Sequence, residues 1–297
     1  MIQLATKDIS EASQDVLKSL QKAVADETNF TLKAKKAKDL WNSKSSSKLK
    51  KKCFNEIKDT LEGMCVSVQI CNYCEQSEAN DIEHIHPKSF FPNLTFKWTN
   101  YLLACKQCNS GEKLDKCYII DNQNTAHVLP RGIEPLVGPI AFINPRLEDP
   151  NKFMLLDLGS NGIEGTWEYM LVPGLSPLDI HKAKKTIDIL NLNSRVPLIH
   201  ARKNAAIFYF ERIDRLVKIL ETNSMDELRK ILTPYDKEGI NLSLSLDDNK
   251  NIIKSGYRRD IQTHQHPSVW YSIKEIQSKI DIQWKNFFVK IPEALNW

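Results

Sequence analysis

Two cysteine pairs, Cys71-Asn-Tyr-Cys74 and Cys105-Lys-Gln-Cys108, decide how the middle of this chain folds. Each pair is a Cys-x-x-Cys hook, which presents two thiolates from one tight turn. Four thiolates satisfy the tetrahedral coordination of a structural zinc ion and leave no position open for chemistry. We therefore predict that the two hooks together bind one Zn²⁺, which holds the scaffold, and that other residues carry out any reaction.

The segment between the hooks carries the residues suited to hydrolysis. It contains Glu83-His84-Ile-His86-Pro87, and Asn109 directly follows the second hook. Its length of about 30 residues exceeds the roughly 15 to 20 of a simple zinc ribbon and leaves room for a hairpin and a catalytic loop. His84 suits the role of general base, because an imidazole is largely neutral yet basic at cellular pH. Glu83 and Asn109 offer the oxygen ligands that Mg²⁺ or Mn²⁺ prefers.

These residues together resemble the HNH nuclease family, which has a ββα-metal core. The resemblance covers about 45 of the 297 residues. It implies that Glu83 and Asn109 bind the catalytic cation and that Asn100 steadies the loop carrying His84. Glu83 stands where many members have aspartate, and the run Ser110-Gly-Glu-Lys113 changes the usual spacing. The residues that carry the resemblance are Cys71, Cys74, Glu83, His84, Pro87, Asn100, Cys105, Cys108 and Asn109.

A narrower likeness rests on three longer stretches, residues 82–89, 92–105 and 143–150. They look like the HNH proteins that accompany an ATPase in Septu and retron-linked phage-defence systems. This likeness implies a bacterial effector whose cutting is controlled by a bound ATPase partner. The sequence contains no phosphate-binding glycine loop, so any ATP chemistry has to come from that partner.

Composition places the chain among soluble globular proteins. With 297 residues and 41% hydrophobic content, it can bury a core without disulfides. The seven cysteines are odd in number and partly paired as hooks, which favours a reducing cytoplasm over a secreted disulfide framework. The first residues lack a basic and then apolar leader, and no apolar run is long enough to span a membrane. We expect a cytoplasmic protein without a membrane partner.

Positive charge is concentrated in one segment. Nine lysines and one acid, Asp39, lie between Lys33 and Lys52, whereas the whole chain has a net charge of only +4. Lysines release counterions when they neutralise phosphates, which favours a nucleic-acid contact. The alternative is a solvated helix or loop. The lysines predicted to contact phosphate are Lys48, Lys50, Lys51 and Lys52 in this segment and Lys88, Lys106 and Lys113 near the hooks.

The pattern along the chain predicts an α+β fold, mainly helical, with an embedded zinc-stapled ββα core and a small β-hairpin. Ser176 and Ser224 have the spacing of helix caps. An apolar stripe from Val269 to Ile291 predicts a last helix that either completes the core or docks a partner. The predicted regions are a lysine-rich helical segment (1–70), the ββα core (71–125), a hairpin-containing connector (126–175) and a helical region available for docking (176–297).

Three functional hypotheses stay open: a metal-dependent DNA endonuclease, a zinc-stabilised nucleic-acid-binding module without catalysis, and a related enzyme that acts on RNA. The set of Glu83, His84 and Asn109 favours an enzyme, because a binding module has no need of a base beside oxygen ligands. The family resemblance favours DNA, and no base-stacking aromatic platform for single-stranded RNA is evident in the sequence.

Overall fold

Among the described residues, helices are the main secondary structure and short two-stranded sheets accompany them, as the α+β prediction requires. The computed structural model describes residues 1–67, 69–76, 78–234, 236 and 239–297. The helices are α1 (Glu11–Ala25), α2 (Phe30–Asn42), α3 (Lys48–Glu62), α4 (Pro177–Ile189), α5 (Val196–Leu220), α6 (Met225–Ile231), α7 (Leu246–Gln262), α8 (Pro267–Ser272), α9 (Ser278–Ile280) and α10 (Ile282–Lys290). The strands are β1 (Asp81–His84), β2 (Tyr101–Ala104), β3 (Tyr118–Ile120), β4 (Ala126–Val128), β5 (Met154–Leu156), β6 (Gly159–Ser160), β7 (Ile163–Glu164) and β8 (Tyr169–Leu171).

The chain divides into two units. Unit 1 contains Met1–Leu155 and Tyr169–Arg195, and unit 2 contains Leu156–Glu168 and Val196–Trp297. The regions predicted at 126–175 and 176–297 are therefore each shared between the two units.

The N-terminal helices of unit 1 begin where the sequence supplies a capping side chain. Ser10, Asn29 and Ser47 each accept a hydrogen bond from the backbone N–H three residues further on, which satisfies a donor that the helix leaves without a partner. One face of α3 is buried, with Ile57 fully enclosed. The helical character predicted for residues 8–60 is confirmed.

A two-stranded sheet and a short π-helical segment follow these helices. β1 and β2 pair antiparallel, with His84 opposite Tyr101 and Asp81 opposite Ala104. The π-helical segment, Gln107–Lys113, starts inside the second hook. A π-helix accommodates more residues per turn than an α-helix, which gives a physical reason for the unusual spacing between Asn109 and Lys113.

The predicted β-hairpin is confirmed, and it forms in two parts. β5 pairs with β8, and the inner strands β6 and β7 are joined by Asn161 and Gly162, whose φ angles are +49° and +82°. Positive φ at both central residues is the signature of a type I′ turn, which matches the twist of the strands. In unit 2 the Asn161 N–H also donates to Asp281 at the start of α10, at 2.7 Å.

Both predicted helix caps are confirmed. Ser176 accepts from the Asp179 N–H at the start of α4, and Ser224 accepts from the Glu227 N–H at the start of α6. The last predicted helix is interrupted, because a π-helical segment (Ile273–Gln277) and the cap of α10 at Asp281 break it.

The apolar stripe of this C-terminal segment contributes to the core of unit 2. Trp270, Trp284 and Phe288 are buried. The Trp270 ring centroid lies 6.2 Å from that of Trp284 and 6.0 Å from that of Phe288. Among the described residues, no helix has the length and apolar character needed to cross a membrane.

Packing around α3 makes a testable prediction about unit 1. Replacing Ile57 by alanine removes a side chain that is 0% exposed and should lower the free energy of unfolding by about 2–5 kcal/mol, because a cavity is left behind. Leu49→Ala, on the same helix but 62% exposed, should change it by less than about 0.5 kcal/mol. Denaturant titration of both variants gives the two values, and equal values would contradict the assigned packing.

Candidate functional site

The four hook cysteines converge on one point. Their sulfur atoms all lie within 4.8 Å of one another, and Cys74 Sγ is 3.8 Å from Cys105 Sγ. A tetrahedral zinc with Zn–S bonds of about 2.3 Å places its sulfurs about 3.8 Å apart, so the cluster fits Zn²⁺. Burial, together with the neighbouring thiols, raises the pKa of Cys71 well above its ordinary value. Four thiolates can therefore lie this close together, away from water, only when a bound cation compensates their negative charge.

Backbone hydrogen bonds hold the hooks in place. The Cys71 N–H donates to Gln76 O at 2.7 Å, which closes the first turn. The Asn72 N–H donates to Leu103 O at 3.0 Å, which joins that hook to β2. Arg195, which sequence reasoning missed, lies 3.3 Å from Cys108 Sγ through Nη1. Its charge stabilises thiolate at this cluster.

His84 lies at the end of β1 with one nitrogen already engaged. Its Nε2 is 3.1 Å from the carbonyl oxygen of Thr95. Because a carbonyl only accepts, Nε2 carries the proton, and Nδ1 keeps the lone pair that a general base needs. Trp41 and Tyr101 contact the ring edge to face, at centroid distances of 4.3 and 5.2 Å. Burial, reinforced by the charge of Lys88, holds the pKa of His84 well below its usual range, so the ring is neutral.

Asn100 ties down the loop that follows His84. Its side-chain oxygen accepts from the His86 N–H at 2.7 Å, and its Nδ2 donates to His86 O at 3.1 Å and to Leu94 O at 3.0 Å. The side chain is buried, so these bonds are shielded from water. His86 belongs to this loop, and its half-buried ring lies beside Asn100 and Phe91.

Glu83 is buried and paired with a lysine. Lys113 Nζ lies 2.6 Å from Glu83 Oε1 and donates to His84 O at 2.8 Å. Burial raises the pKa of Glu83, and the charge of Lys113 opposes that rise. Lys113 is only 1% exposed. This position argues against the phosphate contact predicted for Lys113 and makes it a partner of the candidate metal ligand.

Asn109 is oriented by an acid that sequence reasoning missed. Its Nδ2 donates to Asp81 Oδ2 at 2.9 Å, which leaves the amide oxygen, the better ligand for a hard cation, for other contacts. Asp81 lies two residues before Glu83 on β1, and the alternation of a strand places both on one face. This two-residue spacing is the feature of the sequence from which Asp81 could have been predicted. The Asn109 amide oxygen and the Glu83 carboxylate are the two oxygen groups that the sequence predicts as ligands of a divalent cation.

His84, Glu83 and Asn109 all line one cleft of about 760 Å³ in unit 1. Lys88 lines it too, and so does one face of α2. Lys48, Lys51 and Lys52 are exposed on α3 and Lys106 is exposed beside the second hook. The remaining lysine of that set, Lys50, is half-buried. None of the α3 lysines, nor Lys106, is among the residues that line the cleft.

The segment that carries this geometry belongs to a known class. Residues 71–113 match the HNH endonuclease family. Within the described residues, the hook cysteines are the only group of three or more cysteine, histidine or acidic side chains whose ligand atoms cluster closely enough for one metal ion.

Two curated proteins are similar to a larger part of the chain. The Septu protein PtuB of Bacillus thuringiensis is 29% identical over 161 residues, which cover 52% of this chain and 49% of that protein. The HNH endonuclease assigned to retron Vc95 of Vibrio cholerae serotype O1 biovar El Tor is 28% identical over 181 residues, which cover 58% of this chain and 68% of that protein. The chain thus spans about half the length of the Septu protein. No solved structure shows significant similarity.

The cysteine cluster predicts the metal content of the purified chain. The wild type should hold about one equivalent of zinc, and Cys71→Ser combined with Cys105→Ser should lose it together with the folding of residues 71–117, because the ion supplies folding free energy there. Elemental analysis and limited proteolysis measure both. Cys65→Ser, outside the cluster, is the control and should keep its zinc. Unchanged zinc in the double variant would refute the assignment.

Proposed function

We propose that this chain is a metal-dependent HNH endonuclease that hydrolyses phosphodiester bonds of DNA. One observation carries the proposal: the imidazole of His84, with Nε2 held by Thr95 O at 3.1 Å, lines the same cleft as Glu83 and Asn109. A base with a fixed lone pair beside two oxygen ligands is what hydrolysis requires and what simple binding does not.

The chain's own residues support the base in three ways. Thr95 O selects the tautomer in which Nδ1 can take a proton from water. Trp41 and Tyr101 restrict the ring to one orientation, and Asn100 anchors the loop behind it. A divalent cation held by Glu83 and Asn109 would stabilise the negative charge on the departing 3′ oxygen. A fixed base next to a fixed ligand pair lowers the cost of aligning water and phosphate.

The lysines on α3 have a separate task in this proposal. Lys48, Lys51 and Lys52 are exposed and would attract the phosphate backbone without reading its sequence. Lys50 adds to that charge. The zinc cluster keeps a purely structural role, because its four thiolates fill the coordination of the ion.

The relatives support a biological setting for the chain. Both come from systems named Septu or retron, and the likeness extends beyond the matched segment. We infer that the chain acts in the bacterial cytoplasm as the cutting effector of a phage-defence system and is controlled by an ATPase partner. Unit 2 offers an exposed apolar pair on α10, Ile282 and Val289, 64% and 80% exposed. The two lie seven residues apart and so share one helix face.

Replacing the base tests the reaction. His84→Ala should abolish cleavage of plasmid DNA in Mg²⁺ or Mn²⁺ and leave DNA binding intact, because the imidazole acts on water and not on the scaffold. Glu83→Gln should abolish cleavage through loss of the cation, seen as weaker Mn²⁺ binding. We choose Gln over Ala because it keeps the volume of the side chain and an oxygen that can accept from Lys113; either variant removes the counter-charge of that buried lysine, which costs about 3–5 kcal/mol. Parallel digests of DNA and RNA with each variant provide the measurement.

His127→Ala is the matched control for these variants, since His127 is an exposed histidine paired with Asp121 that does not line the cleft. It should cut like the wild type. Wild-type rates from His84→Ala would remove the proposed base and favour the binding module, whereas digestion of RNA alone would move the substrate from DNA to RNA.

Charge placed on α10 tests the partner. Truncation is unsuitable because Trp270 and Trp284 belong to the core of unit 2. Ile282→Lys with Val289→Lys should instead abolish co-purification of an ATP-hydrolysing protein from the native host while unit 2 stays folded. Gln283→Lys adds charge to the same helix at an exposed polar position that adjoins Ile282 in sequence but lies on another face, and it should retain the partner. A wild-type chain that purifies alone and cuts freely would contradict ATPase control.

A further inference from the structure

The catalytic cleft has a wall that lies outside the HNH segment. Residues of α2 line it at three- and four-residue spacing, which is one face of a helix. Trp41 fixes that wall: it is buried, packs against Phe54 of α3 at 5.4 Å between centroids, and contacts His84 at 4.3 Å. α2 is therefore an integral part of the site. Its lining residues are Phe30, Thr31, Ala34, Lys35, Lys38 and Trp41.

Two acids of the cleft are already neutralised. Glu83 pairs with Lys113 at 2.6 Å, and Asp115 accepts two hydrogen bonds from Arg131, both at 2.7 Å. These pairs add no net charge to the cleft.

The remaining cations leave the cleft positive. Within the part of the chain that the structure describes, neither Lys38 nor Lys88 has a carboxylate within ion-pair distance. Lys35 pairs with Asp39 at 3.0 Å, but both side chains are largely exposed, and a surface pair at this spacing is worth only about 0.3–0.5 kcal/mol. A phosphate can therefore compete for Lys35.

Cations from both sides also meet next to the base. Lys44, just beyond α2, lies 4.9 Å from the centre of the Trp41 ring, and Lys88, from the HNH segment, lies 5.9 Å from it. The same ring contacts His84. An anionic strand entering the cleft thus meets positive charge on α2 and again beside the group that activates water.

We propose that α2 is a phosphate-binding wall of the catalytic cleft, in which Lys35 and Lys38 hold the phosphates that flank the scissile bond of a DNA strand. This inference rests on the proposed nuclease function and adds a positioning element to it. Because α2 lies in the site and α3 does not line it, the two helices differ in effect. The α3 lysines attract DNA in general, whereas Lys35 and Lys38 align it with His84.

The helix supplies its own matched control. Lys33 and Lys36 are also on α2, yet they do not line the cleft. Lys35→Gln with Lys38→Gln and Lys33→Gln with Lys36→Gln therefore remove the same charge from the same helix, on different faces. Lys35→Arg with Lys38→Arg keeps the charge and guards against a folding defect in the glutamine variant. Circular dichroism verifies the fold of each.

Binding is measured in the inactive His84→Ala background, with a fluorescent DNA duplex over a range of salt concentrations. The cleft-face glutamine variant, Lys35→Gln with Lys38→Gln, should lower the slope of log binding constant against log salt concentration by about 0.9 for each phosphate that is no longer neutralised. Lys33→Gln with Lys36→Gln should leave this slope unchanged. With His84 present, the cleft-face glutamine variant should lower kcat/KM by roughly ten- to a hundredfold, because displaced substrate reacts slowly. The arginine variant should retain both slope and rate.

Equal slopes and rates in the two glutamine variants would overturn the proposal, as would failure of the arginine variant to bind. A slope that falls with duplex RNA but not with DNA would overturn the assignment of the strand. If the wild-type chain binds DNA through this face of α2 but never cuts it, the phosphate-binding role of α2 is supported and the nuclease function is wrong. If the chain cuts DNA at a rate that does not depend on Lys35 and Lys38, the nuclease function is supported and the proposal for α2 is wrong.

Discussion

The convergence of four sulfur atoms within 4.8 Å is the constraint on which the site depends. It joins two turns that are about 30 residues apart in the chain, and the bond from the Asn72 N–H to Leu103 O carries that constraint into β2. β2 in turn aligns β1 through their antiparallel register. The position of His84 therefore depends on the convergence of the four hook cysteines.

Two polar side chains of the site, His84 and Asn109, are each oriented by a hydrogen bond to one of their two polar atoms. Thr95 O holds His84 Nε2, and Asp81 holds Asn109 Nδ2. In both residues the atom that the proposed mechanism uses is the one without this hydrogen bond, a lone-pair nitrogen in His84 and a carbonyl oxygen in Asn109. Such prior orientation is efficient in a buried site, because a fixed dipole does not have to reorganise when charge develops.

The pairing of Glu83 with Lys113 gives the site a different property. A carboxylate enclosed by protein is costly unless a positive charge accompanies it. Lys113 supplies that charge from the end of the π-helical segment, whose wider turn sets its spacing from Asn109. The altered spacing that set this chain apart from the common family pattern thus has a local structural basis.

Sequence by itself determined the features that depend on short spacings. The Cys-x-x-Cys hooks and the caps at Ser176 and Ser224 are set by neighbours within a few residues, so their patterns can be read directly. The Glu83, His84 and Asn109 set, read from the same stretch, is found in one cleft.

Only the tertiary structure decided which distant residues join the site. α2 becomes a cleft wall through the packing of Trp41 on α3 and His84, and Arg195 reaches Cys108 across 87 positions of the chain. Burial also depends on packing, which is why Lys113, predicted from the sequence as a phosphate contact, lies enclosed beside Glu83. A charge pattern along the chain records how many lysines are present, whereas the fold decides which of them face the substrate.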